Sequence, residues 1–200
     1  LDGDADRVFL IGPEGNIIEG DQILYMLASI ATNNHQFNSK IVGTILTNSG
    51  LEKSLKNKGI QLYRSDVGDK NVLQLMRQTD SILGGENSGH IINLDHSPSG
   101  DGLLTALLVM KAIVELDTSI GELLHGLELV PQFNCNIETD LTKLSNDLIT
   151  KLSDEANTNL HKGRVLVRKS GTEPMLRITV ESLDEAHAQK LFESIKVQVN

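Results

Sequence analysis

Between residues 19 and 128, short apolar runs rich in β-branched side chains alternate with longer amphipathic segments. Residues 40–46 are one such run, and residues 101–116 form a strongly apolar segment with a helical pattern. Strands that alternate with helices of about ten to fifteen residues are typical of βαβ units. The sequence therefore predicts an α/β domain whose sheet is mixed but mostly parallel.

Two carboxylates in this region stand where helices are expected to begin. Asp21 precedes apolar residues at helical spacing, and Asp69 opens the segment 69–76, so both are predicted N-caps. Lys70 follows Asp69 and is a candidate for pointing towards a ligand. Near the start of the chain, residues 8–11 and 16–18 flank a Gly-Pro-Glu-Gly turn, which predicts a hairpin.

The pattern changes after Pro131, and we place a domain boundary at residues 128–131. The order of elements then becomes β-α-β-β-α, which predicts a small α+β domain with an antiparallel sheet. The predicted strands are residues 132–138, 163–167 and 176–180, and the predicted helices are residues 141–160 and 184–199.

Composition excludes several classes of partner. The net charge of −9 argues against a nucleic-acid or anionic-membrane surface, and an aromatic content of 3% without Trp argues against base-stacking platforms. No apolar run approaches the roughly 18 residues of a membrane-spanning helix. The single cysteine, Cys135, cannot form an internal disulfide, which favours a reducing, cytoplasmic location.

The chain opens with three carboxylates at alternate positions, Asp2, Asp4 and Asp6, followed by Arg7. Alternation places the three side chains on one side of an extended or looped backbone, where their charges repel unless a cation lies between them. Mg²⁺ suits a site with few protein oxygens and a phosphate. Arg7 stands where it can orient an anionic group.

Other interpretations of this motif stay open at the level of the sequence. A solvated acidic turn explains three alternate carboxylates as well as a metal site does. A phosphatase that phosphorylates one aspartate would need further motifs that are not found. An EF-hand loop would need Gly and Glu at the positions of Arg7 and Pro13.

Residues 84–90, Gly-Gly-Glu-Asn-Ser-Gly-His, lie between two predicted strands. The glycines allow a sharp turn, while the polar side chains offer the donors and acceptors that a sugar needs. A polar hairpin turn with a surface histidine accounts for the same residues. The candidate sugar contacts are Glu86, Asn87, Ser88 and His90.

Residues 168–174, Arg-Lys-Ser-Gly-Thr-Glu-Pro, join two predicted strands of the second domain. Cationic side chains, hydroxyls and a glycine that exposes backbone N–H groups make a nest for an anion such as phosphate. An exposed β-turn is the competing interpretation. The candidate phosphate contacts are Arg168, Ser170, Gly171, Thr172 and, just beyond the loop, Arg177.

A carboxylate loop, a sugar-type loop and a phosphate-type loop thus follow one another in order. Together with residues 67–70 and 100–102, this set resembles the α-D-phosphohexomutase superfamily over essentially all 200 residues. The resemblance implies Mg²⁺ as cofactor, held by Asp2, Asp4 and Asp6, with Arg7 beside the reactive phosphate. It implies that the 84–90 loop holds sugar hydroxyls and that the 168–172 loop grips the non-transferring phosphate. Ala5 departs from the glycine that many members have there.

The superfamily has four domains, and the chain resembles part of them. Residues 1–18 are similar to the tail of the second domain, residues 19–128 to the third, and residues 132–200 to the fourth. The phosphorylated serine of the superfamily lies in the first domain, and no serine here matches it. Because the chain also starts at Leu1, we expect a C-terminal fragment that is inactive by itself.

The resemblance is greatest to the branch that acts on amino sugars. It implies an isomerase that interconverts glucosamine 6-phosphate and glucosamine 1-phosphate through a bisphosphorylated sugar, in the cytoplasmic supply of UDP-N-acetylglucosamine and peptidoglycan precursors. A homodimer of the full-length parent is a further expectation. The alternatives are a phosphomannomutase or phosphoglucomutase, a non-catalytic sugar-phosphate-binding module, and a magnesium-dependent phosphatase.

Overall fold

The chain forms two compact units, Leu1–Glu128 and Leu129–Asn200, each with its own apolar core. The computed structural model describes residues 1–32, 37–141, 144–159, 163–170 and 173–199. The fold-class prediction is confirmed, because a mixed α/β unit is followed by an α+β unit with an antiparallel sheet. None of the described helices has both the length and the apolar character needed to cross a membrane.

The first unit is built on a four-stranded sheet with a separate two-stranded hairpin ahead of it. Its elements are β1 (Leu10–Ile11), β2 (Ile17–Ile18), α1 (Gly20–Ala31), β3 (Lys40–Thr44), α2 (Ser49–Asn57), β4 (Gln61–Ser65), α3 (Asp69–Thr79), β5 (Leu83–Gly85), β6 (Ile91–Asn93), α4 (Gly102–Glu115) and α5 (Ile120–Leu123). The sheet order is β4-β3-β5-β6, with β3 parallel to both β4 and β5 and with β6 antiparallel to β5.

The antiparallel β5–β6 pair has a consequence for function, because the residues that join these strands form a tight loop at one end of the sheet. Leu83 pairs with Asn93 and Gly85 with Ile91, so the loop contains the polar residues singled out in the sequence. Parallel strands need long crossovers, whereas an antiparallel pair can close over a few residues. The loop is therefore held at both ends by the sheet.

Both predicted aspartate N-caps are wrong. Glu19 caps α1 in a reciprocal capping box with Gln22, while Asp21 is buried in the first turn and accepts the Asn48 N–H at 2.8 Å. Gly68 caps α3 with φ 120°, and Asp69 is the first helical residue. Asp21 does not cap α1 because its carboxylate is used in a tertiary hydrogen bond. Asp69 does not cap α3 because the preceding glycine adopts the cap conformation.

The second unit contains β7 (Gln132–Glu138), α6 (Asn146–Asn159), β8 (Arg164–Lys169), β9 (Met175–Glu181) and α7 (Glu185–Val199). Its sheet has the order β7-β9-β8, and both pairings are antiparallel. The central strand β9 alternates, so Leu176, Ile178 and Val180 are buried in the core while Arg177 lies on the opposite face.

Helix α6 begins later than the predicted residue 141. The Ser145 hydroxyl accepts the Leu148 N–H at 3.1 Å, which is the bond of an N-cap and explains why the helix starts at Asn146. Leu144 is buried before the helix begins, so an apolar pattern that continues past a cap misled the prediction. The predicted end of this helix, Leu160, lies outside the described residues.

Tyr25 allows a direct test of the packing of α1. Its side chain is fully buried, and its hydroxyl donates to the carbonyl of His125 at 2.8 Å. We expect Tyr25→Phe to lower the free energy of unfolding by about 1–3 kcal/mol, because the carbonyl loses its partner. Urea denaturation measures the loss. Tyr63→Phe is the control, because among the described residues its hydroxyl bonds the exposed Gln61 alone and little change is expected. Equal losses in the two variants would contradict the role given to the Tyr25 hydroxyl.

Candidate functional site

The three carboxylates near the start of the chain converge in the structure. One oxygen each of Asp2, Asp4 and Asp6 can be chosen so that all lie within 4.8 Å of one another. The turn that brings them together places Ala5 in the left-handed region with φ 59°, where glycine is the unstrained residue. Ala5 shows that the loop keeps its shape without that glycine.

Arg7 contacts the carboxylates of both Asp2 and Asp6. The Arg7 backbone N–H donates to Asp2 Oδ1 at 3.2 Å, and its Nε lies 3.7 Å from Asp2 Oδ2 and 3.6 Å from Asp6 Oδ1. Desolvation acts to raise the pKa of Asp2, but these contacts with Arg7 and a hydrogen bond with Asp6 outweigh it, so the pKa is lowered. Asp6 Oδ1 is buried and has no hydrogen-bond partner within the described residues.

These residues fit a hard divalent cation. The oxygens come from carboxylates, and no described residue donates to all three of them. One of them, Asp6 Oδ1, is buried with Arg7 Nε 3.6 Å away but receives no hydrogen bond from the described residues. Burying a carboxylate oxygen without a hydrogen bond is unfavourable, and a cation would satisfy it. Carboxylate oxygens are the ligands that Mg²⁺ prefers in proteins.

The 84–90 loop lies directly against this acidic loop. Arg7 and His90 form an antiparallel bridge, and the Val8 N–H donates to the carbonyl of Gly89 at 3.1 Å. Gly89 has φ 86°, and a Cβ there would collide with the backbone of Val8. The two loops can approach this closely only because residue 89 is a glycine.

His90 lies on the acidic side of the loop and is buried. Its Nδ1 is 3.0 Å from Asp6 Oδ2, and its ring packs over Gly100, where a Cβ would collide with the ring. The interpretation of His90 as a surface residue of a polar turn is therefore excluded. Its predicted sugar contact stays a prediction, and the structure shows its ring bonded to Asp6 instead.

The other predicted sugar contacts lie on the same loop. Glu86 Oε1 accepts the Gly68 N–H at 2.9 Å and so ties the residues before α3 to this loop. Asn87 and Ser88 are half-buried, and within the described residues their side chains form no hydrogen bond. Lys70 is exposed in the first turn of α3, where no contact ties it to the acidic loop in the described structure.

The start of α4 completes the surroundings of the acidic loop. The Gly102 N–H donates to the Ala5 carbonyl at 2.9 Å, and Asp101 Oδ1 caps the helix by accepting the Leu104 N–H at 2.8 Å. The positive end of the α4 dipole thus lies beside the carboxylates and lowers their mutual repulsion. Sequence reasoning noted the Gly-Asp-Gly motif but did not assign these roles to Gly100, Asp101 and Gly102.

The second unit places two guanidinium groups side by side. Arg168 on β8 pairs with Arg177 on β9, and both are half-buried. Desolvation and the neighbouring charge of Arg177 lower the pKa of Arg168. Arg177 is paired with Glu173 at 2.8 Å, whereas Arg168 forms no ion pair within the described residues. Like charges directly opposite each other in a sheet are destabilising, so an anion would relieve this pair.

Two further polar atoms in this region are buried without a partner among the described residues: Ser170 Oγ and Arg177 Nε. Both are donors, and both belong to the predicted phosphate contacts. Buried donors normally find acceptors, and none of the described residues supplies one to these two atoms. The predicted contacts Gly171 and Thr172 lie outside the described residues. The phosphate assignment stays a prediction that these orphaned donors support.

Comparison with known proteins identifies the family of the chain. A sequence model of the phosphoglucomutase/phosphomannomutase alpha/beta/alpha domain III matches residues 19–129, and one of the C-terminal domain matches residues 137–197. The chain belongs to the phosphoglucomutase/phosphomannomutase family. The resemblance to the phosphohexomutase superfamily that the motifs indicated is confirmed.

Curated phosphohexomutase relatives match along nearly the whole chain. A phosphoglucosamine mutase of Shewanella loihica is 41% identical over 100% of this chain and 46% of its own length. Phosphoglucosamine mutase 1 of Shewanella amazonensis is 43% identical over 98% of this chain and 44% of its own. The chain therefore spans about half the length of the curated relatives it matches.

Solved phosphohexomutase structures confirm the fold. Aspergillus fumigatus N-acetylphosphoglucosamine mutase, in complex with GlcNAc-6P and magnesium, matches with a TM-score of 0.77 at 20% identity, over 100% of this chain and 51% of that one. A variant of the same fungal enzyme in complex with glucose 1,6-bisphosphate matches with a TM-score of 0.79 at 18% identity, over 98% and 46%.

Asp4 provides the sharpest test of the metal site. Its side chain is exposed and forms no hydrogen bond or ion pair within the described residues, so Asp4→Asn removes a charged ligand without removing a structural contact. We expect Mg²⁺ affinity, measured by calorimetry, to fall about tenfold or more, because ligand charge sets the affinity of such sites. The melting temperature without metal should not fall. Asp95→Asn, at another exposed carboxylate, is the control; unchanged Mg²⁺ affinity in Asp4→Asn would contradict the site.

Arg168 tests the phosphate loop in the same way. We expect Arg168→Ala to weaken binding of inorganic phosphate by about 1.5–3 kcal/mol, the range for a hydrogen bond to a charged group. Without phosphate the variant should be no less stable, because it loses the repulsion with Arg177. Lys169→Ala is the matched control, since it removes the same charge from the opposite face of β8. Equal weakening in both variants, read by calorimetry, would reject the assignment.

Proposed function

We propose that this chain carries the metal, sugar and phosphate-binding loops of a phosphoglucosamine mutase, which interconverts glucosamine 6-phosphate and glucosamine 1-phosphate. The observation that carries the proposal is the convergence of Asp2, Asp4 and Asp6 beside the 84–90 loop. All 200 residues of this chain also align with a phosphoglucosamine mutase at 41% identity. A metal-type carboxylate cluster next to a polyol-type loop is the arrangement that a sugar phosphate requires.

The reaction is a reversible phosphoryl transfer in two halves. In the first, the O–P bond of a phosphoserine breaks and a new O–P bond forms to a free sugar hydroxyl, whose proton is balanced by the one that the serine oxygen takes up. The sugar is then a bisphosphate. In the second half, the phosphoryl group at its other end passes back to the serine oxygen, which loses that proton, and the sugar oxygen left behind takes one up. No phosphate is released, which separates a mutase from a phosphatase.

The first unit supplies charge stabilisation in this scheme. Asp2, Asp4 and Asp6 would hold Mg²⁺, which offsets the negative charge on the transferring phosphoryl group. Arg7 neutralises part of the carboxylate charge and has a guanidinium that is half-exposed beside the cluster, so it can also contact a phosphoryl oxygen. Lys70 is a weaker candidate for this role, because no contact with a described residue fixes the direction of its side chain.

The 84–90 loop supplies sugar recognition. Asn87 and Ser88 offer side chains that no described residue already binds, and Glu86 keeps one carboxylate oxygen beyond the one that accepts the Gly68 N–H. These groups can bind hydroxyls as donors and acceptors, and a carboxylate is the natural partner of an amino group. They therefore suit an amino sugar without excluding a neutral one.

The second unit supplies phosphate recognition. Arg168 and Arg177 present two guanidiniums, and Ser170 a hydroxyl, to an anion that relieves their repulsion and their lack of acceptors. A loop that binds a phosphate group without reacting with it serves both halves of the reaction, because the sugar bisphosphate carries a phosphate at each end. This is the role we assign to Arg168, Ser170, Gly171, Thr172 and Arg177.

The substrate is tested in the full-length, phosphorylated parent protein with Mg²⁺. We expect kcat/KM for glucosamine 1-phosphate to exceed the values for glucose 1-phosphate and mannose 1-phosphate measured side by side, because Glu86 favours an amino group. A preference for glucose or mannose would keep the family and the metal site but reassign the chain to a phosphoglucomutase or phosphomannomutase. Net phosphate release would identify a phosphatase.

The 200-residue chain measured alone separates catalysis from binding. No serine in it matches the phosphoserine loop of the superfamily, so we expect it to bind glucosamine 6-phosphate without converting it. Calorimetry measures the binding, and a coupled assay for glucosamine 1-phosphate measures the conversion. Turnover by this chain alone would show that the assigned serine requirement is wrong.

A further inference from the structure

His90 belongs to the loop assigned to the sugar, yet its ring contacts the acidic loop. The side chain is 7% exposed, its Nδ1 lies 3.0 Å from Asp6 Oδ2, and its Nε2 is buried without a partner in the described structure. A group held in this way has little freedom to contact a sugar. Its contact with Asp6, a proposed metal ligand, indicates a role other than sugar binding.

The geometry defines which ring nitrogen carries the proton. Asp6 Oδ2 is an acceptor, so the bond requires a proton on Nδ1. In the tautomer with the proton on Nδ1, Nε2 carries a lone pair, and Nε2 has no hydrogen-bond partner among the described residues. The ring cannot turn away easily, because it packs on Gly100 and its backbone is bridged to Arg7.

We propose that His90 is a positioning residue for the metal site: its Nδ1–H holds Asp6 through Oδ2 and leaves the buried Oδ1 for the cation. This inference rests on the proposed function, because it assumes that Asp6 is a metal ligand. Hydrogen bonds from groups behind a ligand orient it and lower the cost of assembling the site. With Nδ1–H in place, Asp6 does not have to be immobilised when the cation binds.

The same contact joins sugar recognition to metal binding. Residues 86 to 89 lie on the turn that ends at His90, and the Glu86 N–H donates to the His90 carbonyl at 2.9 Å. The position of the sugar contacts and the position of a metal ligand therefore depend on one residue. The bond to Glu86 is made by the His90 backbone, so a side-chain substitution keeps it and removes or alters the contact with the acidic loop.

Three substitutions separate positioning from packing. Asn places its Nδ2 the same number of bonds from the backbone as His Nδ1, so His90→Asn can still donate to Asp6. His90→Gln places its amide nitrogen one bond further out, and His90→Ala has no donor. All three vacate part of the ring volume over Gly100, so all three should lose stability.

The test is binding of Mn²⁺ to the 200-residue chain, followed by the EPR signal of the free ion. We expect His90→Ala and His90→Gln to bind about 10–100-fold more weakly than the wild type, as is found for lost groups behind a metal ligand. His90→Asn should bind more tightly than either, despite a similar fall in melting temperature. His96→Ala, at an exposed histidine, should bind as the wild type does.

The outcomes distinguish this inference from the function on which it rests. If the wild type binds Mn²⁺ and His90→Ala binds equally well, the positioning role is overturned and the metal site stands. If the wild type itself does not bind Mn²⁺, the metal assignment fails and the inference fails with it. Nitrogen-15 NMR of the wild-type ring gives a check without any variant: a proton on Nε2 instead of Nδ1 would overturn the proposal.

Discussion

Mutual repulsion among three carboxylates in five residues is the constraint around which the first unit is arranged. Asp2, Asp4 and Asp6 can lie within 4.8 Å of one another only because positive groups surround them. Arg7 contacts Asp2 and Asp6, the N-terminus of α4 lies beside the loop, and the His90 ring forms a hydrogen bond with Asp6. These contributions come from separate parts of the chain. The acidic loop therefore holds those parts together, and they in turn hold its carboxylates close to one another.

The second unit repeats this principle with the opposite sign. Arg168 and Arg177 face each other across β8 and β9, and buried donors of Ser170 and Arg177 have no acceptor among the described residues. A fold selected only for stability would separate such charges or pair them. Two sites with unbalanced charge of opposite sign are what a chain needs to bind both a cation and a phosphate. Membership of the phosphoglucomutase/phosphomannomutase family is consistent with two such sites.

Where sequence reasoning failed, a tertiary contact had taken over a local preference. Asp21 has the right chemistry to cap α1, but it is buried to receive the Asn48 N–H, and Glu19 caps instead. Leu141 and Leu144 continue the apolar pattern of α6 outside the helix, which Ser145 starts. The pattern of apolar residues indicates which positions are buried, and buried positions can continue beyond the end of a helix. Element types were therefore predicted well and helix starts poorly.

The sequence by itself determined the α/β and α+β fold classes, the family, and the three candidate loops proposed to bind metal, sugar and phosphate, because periodicity and short motifs are local properties of the chain. Only the tertiary structure decided how those loops meet. Asp6 and His90 are 84 residues apart, and nothing in either motif indicates that a histidine assigned to a sugar bonds a carboxylate assigned to a metal. That contact exists because β5 and β6 return the 84–90 loop to the acidic loop and because Gly89 and Gly100 leave room for the approach.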